Sequence, residues 1–152
     1  MTQVLLNGKF TDKERQEFAS LFTDDGFEIG EYFTKSFDII EVVRIIFHDF
    51  SVISFVRDLA LGTVIETTIG KTWSWVRSKK PKAEIQISFQ LKIGEEQPVI
   101  NLSVPEDTDD ISAFSRDIDR VITVEFIGTL KKGEVISIGW DSANKKVKIL
   151  RF

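Results

Sequence analysis

Apolar positions along the chain follow two different periods, and each period predicts a different element. In "AEIQISFQLKIG" the apolar residues Ile85, Ile87, Phe89 and Leu91 alternate with Glu84, Gln86, Ser88 and Gln90. A period of two sends the two sets to opposite faces, which predicts a strand of an antiparallel sheet buried on one side only. "EEQ" turns the chain, and "PVINLSV" returns as the neighbouring strand. "EVISIGWDSANKKVKILRF" predicts a hairpin, with Ile136, Ile138 and Trp140 matched to Val147, Ile149 and Arg151 across a four-residue turn. Nearer the start, "QVLLNGKF" predicts a short strand that turns at Asn7-Gly8. "FEIGEYF" alternates Phe27, Ile29 and Phe33 against Glu28, Gly30 and Tyr32, as a half-buried strand does.

Three segments carry the helical period instead. "TDKERQEFASLF" begins with Thr11 as N-cap and Glu14 three residues on, a capping box. Phe18, Leu21 and Phe22 then fall on one face, and Gly26 suits the C-terminal cap, which predicts a helix over 12–23. The run from Phe50 to Lys80 predicts a long helix. Ser51 is its cap, Asp49 lies near its positive end, and Ile53, Val56, Ala60 and Val64 share one face. Arg77, Lys79 and Lys80 suit its last turn, and Pro81 stops it. Gly62 and Gly70 weaken it, so a kink or break is expected near Gly70. Ile111, Phe114, Ile118, Val121 and Ile122 follow an acidic first turn and predict a helix over about 108–124.

"DIIEVVRIIFHDF" fits both periods. Ile39, Ile40, Val42, Val43, Ile45 and Ile46 are all β-branched and stiff at χ1, which favours a buried strand, with a helix as the alternative. The element order is then β-α-β-β-α-β-β-α-β-β. Hairpins dominate and repeated βαβ units are not evident. The expectation is one α+β domain over 1–152, with a mostly antiparallel sheet and the helices on one face. The polar set Gln86, Ser88 and Gln90 marks the other face as exposed or as binding something polar.

Composition narrows the chemistry more than the fold. A chain of 152 residues with 13 Phe and 3 Trp has ample material for a core. It has no Cys, which excludes disulfides, thiolate metal sites and a Cys nucleophile, and a single His excludes multi-His metal centres. No cofactor or metal is expected. "MTQVLLNGKF" lacks the basic and long apolar regions of a signal peptide, and Arg57, Asp58 and Glu66 interrupt the most apolar long segment, so no membrane span is expected. A cytoplasmic location fits the missing Cys. The net charge is −4, with an acidic first half and a slightly basic second half.

Gly70-Lys71-Thr72 has the ending of a phosphate-binding P-loop, yet the first glycine of that motif should stand at Ile65, and Gly62 is three positions too early. A β-branched residue does not take the backbone angles of the cradle cheaply. His48-Asp49 lacks further His partners, and Glu106, Asp107, Asp109 and Asp110 lack the spacing of a calcium loop and suit a helix N-terminus. No Lys has Asp or Glu two positions before it, which removes the usual nuclease signature, and G-x-S-x-G does not occur. Catalytic residues are therefore not assigned. The remaining constellation combines stacking faces with cations: Trp73, Trp75, Arg77, Lys79, Lys80 and Lys82, with Lys131, Lys132, Lys145, Lys146 and Lys148 near the final hairpin. The leading expectation is a non-catalytic protein-binding or regulatory module, such as an adaptor, an immunity or inhibitor-type protein, or a component of an oligomeric assembly. It would meet a protein partner or another copy of itself through Trp73–Lys82. The alternatives are a small nucleic-acid-binding protein using the same segment, and a hydrolase whose carboxylate site is legible only in space.

Overall fold

A computed structural model describes residues 3–22, 28–31, 42–51, 61–92 and 98–151. Among the described residues seven strands form one sheet in the order β2-β1-β3-β4-β5-β6-β7. They are β1 (Gln3–Asn7), β2 (Glu28–Glu31), β3 (Val42–Ser51), β4 (Glu84–Lys92), β5 (Val99–Val104), β6 (Val135–Asp141) and β7 (Lys146–Arg151). The helices among the described residues are α1 (Asp12–Ser20), α2 (Leu61–Lys79), α3 (Thr108–Val121) and the short α4 (Val124–Gly128). This is an α+β chain in the element order read from periodicity, with α4 added.

The strands β3, β4, β5 and β6 bury the same side. Val43, Ile45 and Phe47 of β3 stand opposite Ile85, Ile87 and Phe89 of β4, which in turn stand opposite Val104, Leu102 and Ile100 of β5. Ile100 and Leu102 meet Ile136 and Ile138 of β6. All of these side chains are buried in one core cluster. Phe47 and Phe89 stack at its centre, ring centroids 4.9 Å apart. The helices cover this face. Phe22, just past α1, meets Phe47 edge-on at 5.7 Å, and Phe114 of α3 meets Trp140 of β6 at 6.1 Å.

The local devices of the helices come from the sequence. The Thr11 hydroxyl accepts from the Glu14 N–H, and the Glu14 carboxylate accepts from the Thr11 N–H, completing the capping box. Arg15 donates to the carbonyls of Leu6 and Gly8 and so ties α1 to the end of β1. In α2, Ile65, Thr68, Ile69, Thr72, Trp75 and Val76 are buried, a single stripe at helical spacing. Asp107 caps α3 by accepting from the Asp109 N–H at 2.8 Å.

Several expectations change. From Val42 onward the β-branched run is a strand, and it extends to Ser51, so Asp49 and Ser51 end β3 and do not open α2, while Ile39 and Ile40 lie outside the described residues. Ile53, Val56 and Ala60 lie outside the described residues, as do Gly26, the residues flanking β2, and the "EEQ" turn. α2 runs unbroken through Gly70. The third helix stops at Val121, because the Thr123 hydroxyl accepts from the Phe126 N–H and starts α4 separately. βαβ units are present after all: β1–α1–β2, β3–α2–β4 and the link from β5 through α3 and α4 to β6 each join parallel neighbours. The pairs β1/β3, β4/β5 and β6/β7 are antiparallel. The sheet is therefore mixed. Periodicity reports burial within a strand and carries nothing about which strand lies beside it.

Candidate functional site

The six residues singled out from the sequence are near one another but are largely occupied by their own chain. Trp75 is buried against Phe10 and Phe18, with ring centroids at 4.8 and 5.0 Å. Trp73 is half-buried, and its indole N–H donates to the Pro105 carbonyl at 2.9 Å. Arg77 reaches around the end of α2 to the carbonyls of Pro81 and Ala83, at 3.0 and 2.6 Å, with its guanidinium 5.8 Å from the centre of the Trp73 ring. Lys79 pairs with Glu17 at 2.7 Å, which raises the lysine pKa through that hydrogen bond. The Lys80 ammonium lies 4.9 Å from the centre of the Phe10 ring. Lys82 is exposed. These contacts fasten α1, α2 and the start of β4 together.

The opposite face of the sheet has a different character. Because Ile85, Ile87 and Phe89 point into the core, Gln86, Ser88 and Gln90 point away from it. The register aligns them with their neighbours in rows. One row runs Leu5, Ile46, Ser88, Asn101, Ser137, Leu150 across six strands. Strands about 4.8 Å apart make that row roughly 24 Å long. A second row holds Asn7, Arg44, Gln86 and Ser103. A third brings His48 beside Gln90, whose side-chain oxygen hydrogen-bonds the His48 Nδ1, and continues to Val99 and Val135. The Ser88 hydroxyl donates to the Asn101 side-chain oxygen at 2.6 Å. Leu5, Ile46, Ser88, Asn101 and Ser137 are all half-buried.

Charge is missing from the middle of this face. Gln86, Ser88, Gln90, Asn101, Ser103, Ser137 and Gly139 are all uncharged in a chain whose charged fraction is 29%. Charged residues stand around them: Arg44 on one side, Glu84 at the start of β4, and Asp141, Lys146 and Lys148 toward the outer hairpin. Such a surface donates and accepts hydrogen bonds in many directions. Among the described residues no three His, Asp or Glu side chains are placed to hold a metal ion. His48 and Asp49 remain adjacent in β3, where His48 faces Gln90. Among the acidic cluster, Asp107 is spent as a helix cap and Asp110 on Lys145, 2.7 Å away.

The sequence indicates one strand of this face through Gln86, Ser88 and Gln90. It does not indicate Arg44, Asn101 or Ser137, because nothing but the register brings three other strands alongside. Comparison with protein-family models, with curated proteins and with solved structures gives no match to this chain.

Proposed function

We propose that the chain is a non-catalytic protein-binding or regulatory module and that the polar sheet face opposite the core is its contact surface. The observation that carries this reading is the arrangement of an uncharged polar and aliphatic centre within a charged margin. Protein interfaces have that anatomy: charged residues are depleted in the core of the patch and collect at its rim. A sheet face held only for solvent has no such reason to exclude Lys and Glu from its middle. The paired Ser88–Asn101 and His48–Gln90 groups are already oriented, which lowers the ordering cost on binding.

Nucleic acid is the weaker reading. Single strands are held on sheets by exposed aromatic rings and a basic groove. The residues of β3 to β7 that share the face with Ser88 and Asn101 include no Phe, Tyr or Trp, and the whole chain is acidic at −4. A cytoplasmic setting belongs to the same proposal, because a chain without Cys makes no use of an oxidising compartment. No helix among the described residues is long and apolar enough to cross a membrane.

The test is affinity capture from the cells that make the protein, with the wild-type chain beside the double variant Ser88→Arg/Asn101→Arg. The variant places two long cations in the uncharged centre and leaves the core face untouched. A protein retained by wild type after nuclease treatment and lost by the variant is the expected result. Retention by both chains, or loss on nuclease treatment alone, contradicts it.

A further inference from the structure

We propose that the free edge of β7 accepts an extended segment of a partner protein as an additional strand, and that this segment alternates acidic and aliphatic residues. The proposal rests on reading the chain as a protein-binding module and names the chemistry of the partner. β7 is the last strand of the sheet, and among the described residues it pairs with β6 alone. Its pairing with β6 runs through six successive residues without a register shift. It contains no proline. The strand is thus a regular template whose outward N–H and C=O groups can continue the ladder.

Edge strands are commonly protected by lysine, and that alone would explain Lys146 and Lys148. It does not explain what stands beside them. Leu150 is 60% exposed and Ile149 38% exposed, and among the described residues they are the large hydrophobics left exposed. They project to opposite faces of the same edge, so an added strand would cover one on each side.

The charge selects the occupant. Residues 131–152 hold six Lys or Arg and two Asp or Glu, while the rest of the chain carries a net −8. Two of those cations already face carboxylates, Arg151 with Glu134 at 2.6 Å and Lys145 with Asp110 at 2.7 Å. Lys146 has no ion pair among the described residues, and Lys148 stands 4.0 Å from Asp141. Both project to the polar face with Leu150. A guest strand therefore meets them with carboxylates on that face, and meets Val147 and Ile149 on the other face with aliphatic side chains. A second copy paired antiparallel about the middle of the strand fits badly, because directly opposed side chains share a face and Lys148 would stand against Lys148. The polar face spans on the order of 400 Å² from its strand spacing, below the roughly 800 Å² per partner of a stable complex, so an adjoining contact of this kind is also needed.

Nuclear magnetic resonance on the isotope-labelled full chain tests this with two blocked ten-residue peptides, one alternating Glu and Val and the other Lys and Val. The Glu peptide should shift backbone amides concentrated in 146–151 and bind less tightly as salt is added. Lys146→Glu/Lys148→Glu should weaken it about tenfold, equivalent to about 1.4 kcal/mol. Leu150→Glu, at an exposed position, serves as a second variant with the same expected direction. Equal binding of the two peptides, no shifts in 146–151 at millimolar peptide, or self-association of the chain through β7 would overturn the proposal. Shifts confined to Gln86, Ser88 and Asn101 would also overturn it while leaving the face reading intact. Conversely, retention of a captured protein by the Ser88→Arg/Asn101→Arg chain removes the face reading and leaves this result unchanged.

Discussion

Gly70 is the residue at which local sequence is most misleading. Followed by Lys71 and Thr72 it spells a phosphate motif, and as a glycine in a helical pattern it also invites a break. Neither outcome occurs, because α2 buries Ile65, Ile69, Thr72 and Val76 on both sides of it. Burial along the stripe outweighs the roughly 1 kcal/mol that a glycine costs within a helix. A Cβ added at Gly70 meets nothing within 4 Å. Gly70→Ala should therefore stabilise the protein by about 0.5–1 kcal/mol, raising the thermal midpoint by a few degrees. A lowered midpoint would mean that the glycine is needed for its conformation or for a close approach. Lys145 makes the opposite point. It takes φ 51°, a left-handed angle that Lys seldom adopts, and does so where its ammonium reaches Asp110. Nothing in "DSANKK" announces that pairing, because Asp110 is distant in sequence.

Element boundaries are legible in the sequence where a side chain creates them. Thr11 with Glu14 opens α1, and the β6–β7 register matches the apolar pairs predicted for the hairpin, Ile138 with Ile149 and Trp140 with Val147. The boundary between β3 and the long helix is not legible, since apolar and β-branched residues run across it without a turn signal. The β6–β7 hairpin and the loop before it are held by carboxylates. Arg151 donates to Glu134, and Asp141 accepts from the amides of Ala143 and Asn144 and from the Asn144 side chain. The Arg151 hydrogen bond holds the Glu134 carboxyl below its usual range, and the Asn144 hydrogen bonds do the same for Asp141. A carboxyl whose folded pKa is depressed contributes stability that is present above the ordinary carboxylate range and lost as pH falls through the lowered values. The thermal midpoint should therefore fall as the pH drops below about 4.5, and Glu134→Gln should flatten part of that dependence. A midpoint independent of pH between about 7 and about 3 would show that these contacts contribute nothing. On the alkaline side the sign reverses for Lys145, raised by its hydrogen bond to Asp110, so that contact is lost only as pH climbs past the ordinary lysine value.

For the whole molecule, hydrophobic alternation determines which face of the sheet is buried, and that much is readable in the chain itself. Alternation does not arrange the strands. The polar face is visible in the sequence as one strand, Gln86 to Gln90, and becomes a surface when parallel pairing sets β3 beside β4 and β6 beside β5. The basic and aromatic end of α2 stands out in the sequence because tryptophans and cations are conspicuous there. In the fold Trp75 lies in the core, and Arg77 and Lys79 bind neighbouring segments. The same chain therefore presents a sheet face with an uncharged centre and a basic edge beside it, and an acidic remainder. That combination is the basis for reading it as a module that binds rather than reacts. The most direct measurement is a resonance map of the labelled protein with its captured partner, following the side-chain amide signals of Gln86, Gln90 and Asn101 and the indole signals of the three tryptophans. The three amides should shift on binding while the Trp75 indole stays in place. Amides that remain still while the Trp73 indole and the amides of 77–82 shift would contradict it and move the contact to the end of α2.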